Sequence, residues 1–403
     1  QKRPWHVMKG RISAFCILPG GIIMKFSKTV KTIGAAMIIA AVAAGMTGCG
    51  NKEGAASGSN DTAQIGFIAA LSGSAAAYGI SQQEGINMAA EEINKSGFKV
   101  NIQTEDSKGA PQDAINAAQK MMGNHVSVII GPMTSNEAKA VWPMTQQAGI
   151  PTLGISITAE GMTDGGNYLF RNSVPESMNI PQTVKKTHAM LGYKNVAILY
   201  ANDNEQHVTA EKYFEQALKA EGVNIVAKET FASKDSDFSA QLTNIQGKNP
   251  DAVVICSLYQ EGALILKKMR EMGMNQPVLG DNGFVSPELG KLAGKAADNV
   301  YVSSMWSPNR NDEKTKAFVA NYTKKYGHAP DQFAAGAYDG VYMVVDAMKR
   351  AGTTTDKAKI RDAMAQMKNF SGVCGTFSFN EKRDPVVDLV LLKMKDGVFQ
   401  AAN

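Results

Sequence analysis

Residues 126–158 read VSVIIGPMTSNEAKAVWPMTQQAGIPTLGISIT, and the order of features inside this stretch decides the fold. A β-branched run, Val126 to Ile130, stops at Gly131-Pro132. Thr134 and Ser135 follow, and residues suited to one helix face then recur at Ala138, Val141, Trp142, Thr145 and Ala148. The pattern is strand, turn, capped helix. Directly afterwards Ile150-Pro151-Thr152-Leu153 reads as a second buried strand, running out through Ser156, Ile157 and Thr158. Taken alone, Thr134 and Ser135 are ordinary helix caps. Two adjacent parallel strands that both end in hydroxyls would instead bring hydroxyls and free backbone N–H groups to one sheet edge. Open parallel sheets bind ligands at that edge, and helix N-terminal amides favour an anion such as a carboxylate. The repetition favours this second role.

Working outward, the alternation continues in both directions. Gln64 to Leu71 is a strand, Gly79 to Asn94 a helix with Ile86, Ala89, Ala90 and Ile93 inward, Val100 to Glu105 a strand and Pro111 to Met122 a helix. After a short strand at Tyr168 to Arg171 the series restarts, with strands expected at Val196 to Tyr200, Asn224 to Thr230, Ala252 to Cys256 and Val278-Leu279, separated by helices. Repeated βα units of this length imply an α/β fold with doubly wound parallel sheets, and two series imply two similar lobes. Toward the C-terminus come helices from Asp312 to Tyr326, Phe333 to Ala351 and Asp356 to Met367, then a last strand expected from Val386 to Met394. A chain that leaves one lobe, builds another and returns crosses between them several times, which makes a hinge over a cleft.

At 403 residues with 44% hydrophobic and 20% charged, the composition is that of a soluble protein of about two domains. The net charge of +5 misleads. Seven of the 42 basic residues and none of the 37 acidic ones lie in residues 1–48, which leaves residues 49–403 with 35 basic against 37 acidic. A near-neutral body gives no electrostatic case for nucleic acid. The four cysteines and five histidines are scattered with no metal-ligand or disulfide spacing, so neither a metal nor a cofactor is expected.

The N-terminus reads as an address. A basic segment opens at Met24-Lys25, an apolar run spans Ile33 to Ala44, and Met46-Thr47-Gly48-Cys49 follows. The apolar run is short of the roughly 20 residues a permanent span needs. The last four residues resemble a bacterial lipobox, which would make Cys49 a lipidated first residue anchoring the protein to the cell envelope. Residues 1–48 are then an upstream extension plus signal peptide. Residues 49–63, rich in Gly, Ser, Asn and Ala, read as a flexible tether.

No phosphate loop, no HExxH, no GxSxG elbow and no strand-linked GxGxxG occurs, so no enzymatic activity is expected. The positive signals are hydroxyls, glycines and aromatics at strand ends, suited to holding a small polar ligand in a cleft. Several stretches carry a family resemblance: Leu71-Ser72-Gly73 through Tyr78-Gly79, Ile130-Gly131-Pro132-Met133-Thr134-Ser135, Asp237-Phe238-Ser239-Ala240-Gln241-Leu242, Pro250-Asp251-Ala252-Val253-Val254 and Ala337-Tyr338-Asp339. In their order and spacing the chain resembles the type I periplasmic binding proteins, in the leucine/isoleucine/valine-binding branch that serves ABC importers. That resemblance implies two Rossmann-like lobes joined by three crossovers, with residues 64–174 and 309–376 in one lobe and 175–308 and 377–403 in the other. It also implies an extracytoplasmic receptor that closes around an amino acid and delivers it to membrane permease subunits.

Carried over by position, the resemblance assigns the ligand's carboxylate to Ser135, Ser156, Ile157 and Thr158, with Thr134 beside them. Tyr78 would pack on the ligand, Phe333 would line its side-chain pocket, and Tyr259 would close from the second lobe. The ammonium side departs from the family pattern. Glu205 stands where a tyrosine is usual, and Asn282 where the pairing carboxylate is usual, with Asp281 one residue earlier. A buried ammonium needs a partner charge. Glu205 is expected to supply it, with Asp281 as the other possibility. A ligand without an ammonium, an aromatic or short aliphatic acid or an amide, is the alternative, and a ligand sensor is a further one.

Overall fold

The computed structural model describes residues 62–402. The expectations for the extension, the signal peptide, most of the tether and Cys49 lie outside them. The first series runs β1 (Ala63–Ala69), α1 (Ala76–Lys95), β2 (Val100–Asp106), α2 (Pro111–Gly123), β3 (Val128–Ile130), α3 (Ser135–Gln147), β4 (Thr152–Gly154) and β5 (Leu169–Arg171). The second runs α4 (Glu176–Leu191), β6 (Asn195–Ala201), α5 (Glu205–Ala220), β7 (Asn224–Phe231), α6 (Ser239–Gln246), β8 (Ala252–Cys256), α7 (Tyr259–Glu271), β9 (Val278–Gly280), α8 (Pro287–Ala293) and β10 (Val300–Ser304). The remainder is α9 (Glu313–Tyr326), α10 (Gln332–Ala351), α11 (Lys357–Ala365), β11 (Phe370–Gly372), β12 (Gly375–Phe379), β13 (Pro385–Val386), β14 (Val390–Lys395) and β15 (Val398–Ala401).

Five parallel strands form the first sheet in the order β2-β1-β3-β4-β5. The second sheet has the order β15-β14-β10-β9-β8-β6-β7, parallel except where β14 pairs antiparallel with β10 and β15. Both sheets reverse their winding at one point, between β1 and β3 in the first and between β6 and β8 in the second. The chain leaves the sheet in opposite directions on the two sides of such a point, opening a crevice at the strands' carboxyl ends. The strands are covered on both faces, so they read as near-continuous apolar runs: Ile65, Phe67, Ile68 and Ala69 in β1 and Val253, Val254 and Ile255 in β8 are all fully buried.

Local chemistry fixes where the helices begin. Asp312, Asp331 and Asp356, each expected at or near a helix start, cap α9, α10 and α11 by accepting from backbone N–H groups one turn in. At Gly79 a Cβ would lie 1.9 Å from the Ala70 carbonyl, so α1 can lie against the end of β1 only with glycine there. Gly131 has φ +110° and the same crowding against the Ile68 carbonyl, which lets β3 turn sharply into α3.

Two expectations about the C-terminal part need correction. The single strand expected from Val386 to Met394 is broken, and only β14 and the following β15 join the second sheet. The return crossing expected at residue 377 falls later, because β11, β12 and β13 form a small sheet of their own on the first lobe. Arg171 of β5 reaches Asp384 beside β13 (2.6 Å, both buried), and Phe170 packs on Phe379. Trp306 is buried, its ring edge-on to Phe318.

Candidate ligand-binding site

Between the carboxyl ends of the two sheets lie two adjoining chambers that share Ser156, Asn282 and Phe333 as walls. The outer chamber is lined by Tyr78, Met133 and Thr134 from the first lobe and by Gln206, Leu258 and Gly283 from the second. The inner one lies against the crossovers and is lined by Ile155, Ser173 and Val174 on one side and Asn179, Ser303 and Ser304 on the other. Neither wall carries a lysine or an arginine.

The first lobe contributes neutral donors. Thr134 caps α3 in a reciprocal box with Glu137: its side chain accepts from the Glu137 N–H, while its own N–H and hydroxyl reach the Glu137 carboxylate at 2.8 and 2.7 Å. Burial pushes the Glu137 carboxyl up. The plain capping role expected of Thr134 is therefore real, and the residue also faces the outer chamber. Ser156 is held by donating to the Met133 carbonyl and accepting from Gln82 Nε2 (2.9 Å). The backbone N–H groups of Ser156, Ile157 and Thr158 find no acceptor among the described residues. Arg171 clamps this loop from beneath, donating to the carbonyls of Ile157 (3.2 Å) and Ala159 (2.6 Å).

Not every expected residue reaches the chambers. Ser135 is buried and accepts from the Ala159 N–H (3.2 Å), tying α3 to the loop. Ile157 is core, packed with the α2 and α3 helices. Thr158 is buried behind the wall, its carbonyl accepting from the Glu176 N–H. Tyr259 supports the site instead of lining it: its ring meets Tyr78 edge-on at 5.0 Å, and its N–H donates to the Tyr78 hydroxyl (3.0 Å). That hydroxyl in turn donates to the Gly283 carbonyl, so Tyr78 bridges the lobes.

The two acidic expectations fail on geometry. Glu205 opens α5 with its side chain turned outward to Lys139 of α3 (2.8 Å), in a pair that is 38% and 64% exposed. Asn204 caps α5 through the Gln206 N–H, and the first helical turn then swings Gln206 inward and Glu205 out. Asp281 is fully buried but faces His207 of α5 (2.6 Å) and the Gly283 N–H, away from the walls.

The acid that stands behind the site is Glu176, the first residue of α4. It is fully buried, and its carboxyl lies within 3.3–3.5 Å of the Asn282 N–H and the side-chain amides of Gln206 and Asn179. Burial first, and the neighbouring Asp281 carboxyl second, push it up to about 8. Sequence reading missed it because an acid in the first turn of a helix is an ordinary response to the helix dipole. Only its position directly after a crossover sets it apart. Asn179, Gln206, Ser303, Ser304 and Gln332 were missed for a similar reason, being polar residues at helix starts and strand ends.

Comparison with known proteins agrees with this architecture. A family model described as periplasmic binding protein matches residues 62–398. A branched-chain amino acid transporter substrate-binding protein, LivJ from Streptococcus pneumoniae, solved in complex with isoleucine, is 33% identical; the match covers 85% of this chain and 98% of that one at a TM-score of 0.80. The leucine-binding protein LivK from Thermotoga maritima is 27% identical, with the same two coverages and a TM-score of 0.81. The leucine-, isoleucine-, valine-, threonine- and alanine-binding protein of Pseudomonas aeruginosa is 25% identical over 80% of this chain and 87% of its own length. With two doubly wound lobes meeting over a polar cleft, the chain belongs to the periplasmic binding proteins, extracytoplasmic receptors that bind their substrates without transforming them.

Proposed function

We propose that this protein is the substrate-binding component of an ABC importer and captures an α-amino acid. The observation that carries this reading is the polarity around the cavity: the backbone N–H groups of Ser156, Ile157 and Thr158, which find no acceptor among the described residues, on the first lobe, one buried carboxyl, Glu176, behind the second lobe's wall, and no cationic side chain on either wall. Donors without a fixed cation suit a carboxylate that brings its own counter-charge. A buried carboxyl at about 8 suits an ammonium group, which would draw its proton away and restore the charge pair. An acid without an amine would meet only the first half of this arrangement. The relatives named above, one leucine-binding, one solved with isoleucine and one binding leucine, isoleucine, valine, threonine and alanine, support the same class and make branched-chain amino acids the first to test.

Calorimetric titration of the purified chain with leucine, isoleucine, valine and alanine, against benzoate and acetamide, tests the reading. Binding of amino acids, weakened about 100-fold by Glu176→Gln, is the expected result. Binding of benzoate or the amide with silence from every amino acid would overturn it. Delivery to permease subunits and a lipid anchor at Cys49 belong to the same proposal. Incorporation of labelled palmitate in a bacterial host, abolished by Cys49→Ala, checks the anchor.

A further inference from the structure

The inner chamber is more polar than a branched-chain side chain requires. Seven of its wall residues, Ser156, Ser173, Asn179, Asn282, Ser303, Ser304 and Gln332, carry hydrogen-bonding side chains. Most of that capacity is already used. Ser173 donates to the Ile157 carbonyl (2.8 Å), Ser304 is held between Trp306 and Gln332, and Gln332 Nε2 donates to Asn282 Oδ1 (2.7 Å).

What remains has a definite shape. Asn179 is 3% exposed, and its Oδ1 has no hydrogen-bond partner among the described residues. Its Nδ2 donates to Glu176 Oε2 (3.5 Å), and once an ammonium group has ionised that carboxyl it can only accept, which leaves the amide's carbonyl oxygen as the free end. Across the chamber the Asn282 amide accepts through Oδ1, leaving its Nδ2 as a donor, and Ser303 accepts from Thr183 (2.7 Å) and keeps its own proton. Asn179, Asn282 and Ser303 all line that same small chamber. A buried acceptor left without a donor is strongly unfavourable, so such groups mark where a donor belongs.

We infer that the inner chamber receives a terminal carboxamide, its N–H₂ donating to Asn179 Oδ1 and its carbonyl accepting from Asn282 or Ser303, so that the preferred substrates are amide-bearing amino acids. This rests on the amino-acid reading above and narrows it. A leucine side chain in that chamber would leave the Asn179 carbonyl unpaired. A glutamine or asparagine side chain would not.

The test is competition between size-matched pairs, asparagine against leucine and glutamine against methionine, by calorimetry on the purified chain and on Asn179→Leu. The expected result is that the better amide of the two pairs binds roughly 10- to 100-fold more tightly than its apolar counterpart. Asn179→Leu should erase that preference, bringing each amide to within about threefold of its apolar counterpart. Should the leucine variant fail to fold by circular dichroism, Ser303→Ala and Asn282→Ala make the same comparison. Equal or tighter binding of leucine and methionine, with a ratio that Asn179→Leu does not move, would overturn the inference and leave the amino-acid reading standing. Silence from all four would overturn both.

Discussion

At the scale of single residues the decisive group is Glu176. Folding raises its proton affinity, so between its ordinary value of 4.5 and about 8 the folded ligand-free protein holds a proton that the unfolded chain has released. Ligand-free stability should therefore fall as pH rises through that window, and urea midpoints at pH 5 and pH 8 would show it. Binding an ammonium group reverses the preference by favouring the carboxylate. Amino-acid affinity should climb from pH 6 to pH 8 by at most about tenfold per unit, with a proton released on binding at pH 7. Calorimetry in two buffers of different ionisation enthalpy reads that proton directly, and identical heats would rule it out. Glu205 makes the contrasting case. Its pair with Lys139 is half in solvent, so Glu205→Gln should leave affinity within about twofold. Sequence alone could not rank these two acids, since each is the first residue of a helix. What separates them is which way the first turn faces once Pro175 and Asn204 have set the entry of the chain.

At the scale of elements the sequence was more informative, and for a physical reason. A strand covered on both faces must be apolar along its length, and a helix must announce its start to satisfy its free N–H groups, so β1 to β9 and the aspartate-capped helices were readable, while β10 went unread. The segment from residue 370 onward was not, because short antiparallel strands with one exposed face leave little periodic signal. Its attachment depends on a tertiary contact, the buried Arg171–Asp384 pair, whose partners lie 213 residues apart. That same arginine holds the carbonyls of Ile157 and Ala159, so one side chain ties the return segment to the loop that carries Ser156. Asp384→Ala would leave a buried guanidinium without its counter-charge, at a cost of about 3–5 kcal/mol in urea unfolding. Because the loop is then less firmly held, ligand affinity should drop as well. A loss below about 1 kcal/mol would mean that water reaches the arginine and the pair is not the clamp described.

At the scale of the whole molecule, binding depends on the free energy of bringing the lobes together, and the contacts that cross between them are few enough to weigh. Lys139–Glu205 and the Asn136 bonds to the Asp203 carbonyl (3.2 Å) and the Glu205 N–H (2.8 Å) lie at the rim, where salt and water weaken them. Tyr78 is different. It is 2% exposed, and its hydroxyl links the Gly283 carbonyl and the Tyr259 N–H at the N-terminus of α7. Removing that oxygen leaves a buried donor and a buried acceptor unmatched in the closed form alone, because on opening both return to water. Tyr78→Phe keeps the ring contacts with Tyr259 and Phe333 and should disfavour closure by about 1–3 kcal/mol. A ligand that binds only the closed form then loses affinity by the same factor whatever its side chain, roughly 5- to 150-fold. Uniformity across ligands is the signature to measure. If Tyr78→Phe weakened amides and apolar amino acids unequally, the hydroxyl would be reading the substrate and not latching the lobes.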